Sequence, residues 1–295
     1  MRIVITGASG QLGQSFFHWK DKFPEFTLVP CPRAEMDLSS EEAIRTYFAY
    51  NEFDLLINCA AYTHVDGAES NQVMAKQINV HGPSYLAAAC VRKKIPILHF
   101  SSDYVYHNTL NRPLLETDPT HPESVYGRTK LAGEQEITRH TEQYQIFRSS
   151  WIIGPFGNNF LKSMIRLMQE RDELKIVEDQ IGTPTYSLDM AYDILMMIQN
   201  KKHKNYGVYN LSNSGVCSWF DLAMYIRHLG GYSCEVRPIT TEEYPAEAER
   251  PYYSVMNKSK AKNQLGILLR PWQEAVEEAM KNYFSESFVK NTPGC

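Results

Sequence analysis

RIVITGASGQLG, residues 2–13, is the stretch whose reading decides the fold. RIVIT is a short apolar run ending in glycine, the mark of a strand buried on both faces. Gly7, Gly10 and Gly13 then lead into a helix expected from about Gln11 to Lys20. Their gaps are three and three, unlike the G-x-G-x-x-G spacing of the best-known dinucleotide fingerprint. The physics is shared. Small residues let a backbone approach a pyrophosphate, and a helix N-terminus offers unpaired N–H groups and a positive dipole end.

Outward from that stretch, strands and helices alternate. FTLVP reads as a second strand, and SSEEAIRTYFAYN as a helix with Ser39 or Ser40 as N-cap and acids in its first turn. DLLIN is a third strand, the Ala-rich segment 75–93 a helix, IPILHFSS a fourth strand and YQIFRSS a fifth. This order predicts an α/β fold, a doubly wound parallel sheet with right-handed crossovers. Residues 1–150 form the expected dinucleotide-binding domain. Beyond Trp151 the regularity breaks: helices are expected near 159–170, 187–199 and 272–284 and over SWFDLAMYIRHLG, a turn at DQIGTPT and a strand at YGVYNLS. Residues 151–295 are therefore expected to be mainly a smaller substrate-binding lobe, with segments near 178–212 returning to the first domain.

Composition excludes several classes of function. The net charge of −4 leaves no electrostatic footprint for nucleic acid or an anionic membrane. No apolar run is long enough to span a bilayer, and the N-terminus enters a strand directly without a signal peptide, so a cytoplasmic protein is expected. The six cysteines, Cys31, Cys59, Cys90, Cys217, Cys234 and Cys295, show no C-x-x-C spacing and read as buried apolar residues in a reducing compartment. The histidines, the lone His64 among them, have no metal-ligand spacing.

In SVYGRTKLAGE, from Ser124, Tyr126 and Lys130 stand four residues apart, one turn of a segment that reads as helical from Gly127 onward. A lysine beside a phenol favours the phenolate and should lower the tyrosine pKa. With 18 tyrosines in 295 residues, about one such spacing is expected by chance. Its weight comes from its place. Gly-x-x-Gly-x-x-Gly at the first turn, a serine (Ser102) at the end of the fourth strand and Tyr-x-x-x-Lys on the next helix together resemble the extended short-chain dehydrogenase/reductases.

The blocks AAYTHVDGAE, SSDYVYHN, YGRTKLAGE, RSSWIIG, DQIGTPT and RPYYSVMN follow in order over nearly the whole chain and resemble, within that group, the dTDP-4-dehydrorhamnose reductase family. Ser102 stands where that family usually has threonine and keeps the hydroxyl. His107 and Asn108 replace a more usual acidic or glycine-containing end of their block. Some relatives carry a glutamate two residues after the third glycine, linked to a metal-bridged dimer. Ser15 stands there, so no metal is expected.

The resemblance implies NADPH or NADH as cofactor and a dTDP-linked 4-keto sugar as substrate. Tyr126 would donate a proton to the developing alkoxide, Ser102 hydrogen-bond the carbonyl oxygen, and Lys130 bind the nicotinamide ribose. Gly7, Gly10, Gln11, Leu12 and Gly13 would cradle the pyrophosphate. Asp37 and Leu38 would sit by the adenine, and Ala61, Tyr62 and Thr63 line the ribose side. Asp37 has an alternative reading as a helix-start residue before LSSEE. Arg33 is placed to accept a 2′-phosphate or to face solvent at a turn. For the sugar nucleotide the candidates are Asp103, Tyr104, Trp151, Asn159 and Arg250. Trp151 suits either an apolar sugar face or a core, and Arg250 either a diphosphate or a surface ion pair.

Two alternatives share the fold: a non-catalytic cofactor-binding subunit of the methionine adenosyltransferase type, and a sugar-nucleotide epimerase or dehydratase. The resembling dehydratases place adjacent Asp and Glu after the serine or threonine, whereas this chain reads Ser102-Asp103-Tyr104. The oligomeric state stays open, a homodimer included.

Overall fold

In a computed structural model, residues 1–106 and 110–285 are described. The expectation for His107 and Asn108, and Cys295, lie outside them. The chain begins with β1 (Arg2–Thr6), α1 (Gln11–His18), β2 (Thr27–Cys31), α2 (Glu41–Tyr50) and β3 (Leu55–Asn58). Ser40 caps α2 by accepting the Ala43 N–H, the local contact its sequence called for. Where one helix was expected over 75–93, three pieces and an unforeseen predecessor stand: α3 (Val65–Ser70), α4 (Gln72–Lys76), a π-helical turn (Gln77–His81) and α5 (Gly82–Lys93). Pro83 in the first turn of α5 lacks the N–H a continuous helix would need. β4 (Ile97–Ser102), α6 (Val125–His140) and β5 (Tyr144–Ser149) complete the first half. α6 starts two residues earlier than its propensities suggest, because the Ser124 hydroxyl caps it through the Gly127 N–H.

The second half runs β6 (Ile152–Ile153), α7 (Phe160–Glu170), β7 (Glu173–Val177), β8 (Ile181–Gly182), β9 (Thr185–Tyr186), α8 (Ser187–Gln199), β10 (Gly207–Asn210), β11 (Cys217–Ser218), α9 (Trp219–Gly230), β12 (Glu235–Ile239) and α10 (Trp272–Phe284). The expected turn DQIGTPT instead carries β8 and β9, too short to show a period of two. β7 and β12, which pair in parallel, were missed because Glu, Lys, Arg and Pro break up their apolar pattern.

Six strands form one parallel sheet in the order β10-β5-β4-β3-β1-β2. The order reverses between β1 and β3, the point at which open α/β sheets bind ligands beyond their strand C-termini. Leu86, Ile44 and Ile137, from α5, α2 and α6, pack one face. On the other, Phe16 of α1 meets Ile194 and Leu195 of α8, and Ala261, Leu265, Ile267 and Leu269 join them from far along the chain. A separate core gathers Ile165, Leu222, Ile226 and Val276 from α7, α9 and α10. Among the described residues no helix is long and apolar enough to cross a membrane.

Candidate active site

Along the C-terminal edge of the sheet, between the two cores, lies a cavity of about 870 Å³. Gly7, Gly10, Gln11, Leu12, Arg33, Asp37, Leu38, Ala61 and Thr63 line one end, and Ser102, Asp103, Tyr104, Tyr126, Lys130, Trp151 and Arg250 line the other. Gly13, Tyr62 and Asn159 are not on its wall.

The glycine loop fits a dinucleotide pyrophosphate. Gly7 has φ of +62°, and a Cβ there would sit 2.7 Å from the Ala60 nitrogen. Both conformation and space demand glycine. A Cβ at Gly13 would lie 2.3 Å from the Gly7 carbonyl oxygen, so this glycine serves close helix–strand packing rather than ligand contact. No side chain caps the first turn of α1, which leaves its N–H groups facing the cavity for an anion. Tyr62 stays out of the wall, but its backbone is clamped: Asn79 accepts the Tyr62 N–H at 2.8 Å, donates to its carbonyl at 3.0 Å and donates to the Thr129 hydroxyl at 3.1 Å. Asn79, on the π-helical turn, thus ties the 60–63 loop to α6. Nothing in its sequence context marked it.

Past β2, Asp37 lines the cavity and holds the turn that precedes α2, whose N-cap is Ser40. Its carboxylate accepts the Ser39 N–H at 2.9 Å and pairs with Arg33 Nε at 3.0 Å. Burial opposes its ionisation, but the Ser39 bonds and Arg33 outweigh that and hold the carboxyl below its usual value.

Ser102, Tyr126 and Lys130 converge. β4 pairs with β5 so that Ser102 lies opposite Ser149 at the strand end, where its hydroxyl donates to Asp103 Oδ1 at 3.1 Å and it shares the cavity wall with Tyr126. Lys130 Nζ donates to the Phe100 carbonyl at 2.6 Å. The expected lowering of the tyrosine pKa does not hold in this site. Burial raises Tyr126 to about 12, with Ser102 pulling down and Asp103 pushing up, and burial lowers Lys130 to about 8 against the pull of Glu134. Desolvation penalises the charged form of each group. The phenol is therefore protonated at neutral pH, the state required of a proton donor. Asp103 is pushed up to about 6 by burial, opposed by Ser254 and Ser102, and one of its oxygens, Oδ2, has no partner among the described residues. Tyr104 meets Tyr126 edge to face at 5.4 Å.

Trp151 is one of the non-glycine residues with positive φ, at 46°. Its indole stacks on Trp219 at 3.6 Å, and a Cβ at Gly182 would come within 2.7 Å of it. The glycine of DQIGTPT thus makes room for this ring, and the strained backbone aims it into the cavity. Trp219 belongs to the same wall and was not foreseen; it reads only as the first residue of a capped helix. Asn159 caps α7: Oδ1 accepts the Lys162 N–H, and Nδ2 donates to Gln11 Oε1 at 2.7 Å and to the Gly154 carbonyl. Ser15, buried, shares a hydrogen bond with Ser187 at 2.9 Å. Among the described residues no group of three acidic, His or Cys side chains could hold a metal ion.

A family described as RmlD substrate binding domain matches residues 1–285. The dTDP-4-dehydrorhamnose reductase of Aggregatibacter actinomycetemcomitans is 36% identical over 286 residues, 94% of this chain and 97% of that one. Among solved structures, a dTDP-4-dehydrorhamnose reductase from Clostridium acetobutylicum has a TM-score of 0.91 at 39% identity, covering 95% of this chain and 99% of that one. The dTDP-4-dehydrorhamnose reductase of Bacillus anthracis in complex with NADP has a TM-score of 0.90 at 34% identity, covering 95% and 98%. The likeness runs over nearly the whole chain, and so the chain belongs to the dTDP-4-dehydrorhamnose reductase family.

Proposed function

We propose that this protein reduces the 4-keto group of dTDP-4-dehydro-6-deoxy-L-mannose (dTDP-4-dehydro-L-rhamnose) to give dTDP-L-rhamnose, with NADPH or NADH as reductant. The observation that carries the reading is a protonated, buried Tyr126 beside the Ser102 hydroxyl in the cavity that opens onto the glycine loop. A bound reduced nicotinamide supplies the hydride. Tyr126 delivers the proton to the oxygen that becomes the alcohol, and Ser102 donates a hydrogen bond to that oxygen as charge grows on it. Lys130, anchored on the Phe100 carbonyl, keeps a donor beside the cofactor ribose. The Trp151–Trp219 stack offers an apolar wall for the sugar face. The described cysteines are free, which suits a cytoplasmic setting.

A dehydratase would need a second carboxylate beside Asp103. Tyr104 is there instead, and burial raises its phenol above the ordinary value, so it is a poor base. The deciding assay mixes protein, NADPH or NADH and the dTDP-linked 4-keto sugar. Loss of the reduced-nicotinamide absorbance in equal amount to sugar consumed is expected. Formation of a 4-keto-6-deoxy product from dTDP-glucose without added cofactor would overturn the reading.

Cofactor choice rests on Arg33. Its side chain is 68% exposed and paired with Asp37 along one edge, which leaves donors free for a 2′-phosphate. Both cofactors should serve, with a lean toward NADPH. Arg33→Ala should lower kcat/KM for NADPH about tenfold, the worth of a charge-assisted hydrogen bond, and spare NADH. A wild-type preference for NADH that the substitution leaves unchanged would sink this.

A further inference from the structure

Arg250 does not stand alone at the cavity wall. The segment 244–250 leaves the second lobe and reaches α3 of the first, where Asp66 receives it twice. Asp66 Oδ1 accepts the Ala248 N–H at 3.2 Å, and Oδ2 accepts Arg250 Nη2 at 2.6 Å. The guanidinium also lies 5.9 Å from the Tyr244 ring centroid. Arg250 Nε is buried with no hydrogen-bond partner among the described residues. An unmet buried donor is unfavourable, so the arrangement persists at a cost that a ligand oxygen would remove.

The cations on the cavity wall among the described residues are Arg33, Lys130 and Arg250. Arg33 lies beyond β2 at the cofactor end, and Lys130 is turned onto the Phe100 carbonyl. An anionic group entering from the substrate lobe therefore has Arg250 as its cationic partner.

We propose that Asp66 is a positioning residue: it docks the 244–250 segment on α3 and presents Arg250, with Nε open, to the diphosphate of the sugar nucleotide. The inference rests on the proposed reductase function and adds to it the device that fixes this anion contact. By taking one terminal nitrogen, Asp66 removes the rotamer freedom of a long side chain before substrate arrives. That freedom is otherwise lost on binding, at the expense of affinity. The Ala248 contact fixes the backbone under it. Asp66 touches neither sugar nor cofactor in this role and acts through Arg250.

Binding of dTDP and of thymidine to the full-length protein, measured by calorimetry, tests this. Thymidine lacks the phosphates and reports on the rest of the site. Asp66→Ala should weaken dTDP about tenfold, roughly 1.4 kcal/mol, and leave thymidine unchanged. Asp66→Ala combined with Arg250→Ala should lose no more than Arg250→Ala alone, because the two act as one unit. In turnover, KM for the sugar nucleotide should rise more than kcat falls. Asp66→Asn keeps an acceptor for Ala248 and decides the matter if the alanine variant fails to fold: it should lose dTDP affinity and retain thymidine affinity. Unchanged or tighter dTDP binding, an equal loss for thymidine, or additive losses would each overturn the proposal. A wild-type protein that does not bind dTDP would overturn the functional reading with it, whereas wild-type binding that Asp66 variants leave untouched removes the positioning role alone.

Discussion

Tyr126→Phe should lower kcat by at least about a hundredfold, the usual contribution of a general acid, with cofactor affinity nearly unchanged. The substitution removes one oxygen. The ring remains 5.4 Å from Tyr104 and keeps its packing, so the loss reports on proton delivery and not on the shape of the site. Lys130→Met should weaken both turnover and cofactor binding, because its buried ammonium, held on the Phe100 carbonyl beside Tyr126, is the proposed donor to the cofactor ribose. Steady-state kinetics with a separate cofactor titration checks both. A Tyr126→Phe enzyme that keeps more than about a tenth of wild-type turnover would mean that another group donates the proton.

The largest stability effect is expected one turn beyond Lys130. Glu134 and Arg148 form an ion pair at 2.7 Å with side chains only 4% and 6% exposed. Arg148 Nε also donates to the same carboxylate at 3.0 Å, and Nη1 donates to the Tyr106 hydroxyl at 2.7 Å. Glu134→Gln leaves a buried guanidinium without its counter-charge, and breaking such a pair costs about 3–5 kcal/mol. Against a total stability of about 5–15 kcal/mol, that is a large fraction. Urea unfolding should show it as a lowered midpoint at unchanged slope, and a shift worth less than about 1 kcal/mol would refute the expectation. The same substitution has a second readout. Lys130 sits near 8 because burial pulls its pKa down while Glu134 holds it up. His99 of β4 also faces it, kept uncharged by burial and by the lysine itself. Removing the carboxylate leaves burial unopposed, so Lys130 should lose its proton at lower pH. The alkaline limb of the activity profile should shift to lower pH accordingly.

The sequence by itself determined what is encoded locally. The apolar run of β1, the glycine gaps and the four-residue step from Tyr126 to Lys130 are short-range patterns. Each is fixed by backbone sterics or helix geometry whatever packs around it, so the parallel sheet and the placing of the Ser–Tyr–Lys cluster could be read directly. Asn159 marks the limit of such patterns, since a residue that caps a helix and one that reaches a ligand look alike along the chain. Tertiary structure decided the rest. The Trp219 stack on Trp151, the clamp of Asn79 on the 60–63 loop and the Asp66–Arg250 pair, 184 residues apart, exist only after distant elements meet. The return of residues 261–269 to the first core is equally long-range. Protonation was decided there too. From the sequence, Lys130 should make Tyr126 more acidic, but in the folded site both groups have lost their water, and desolvation is the leading influence on each.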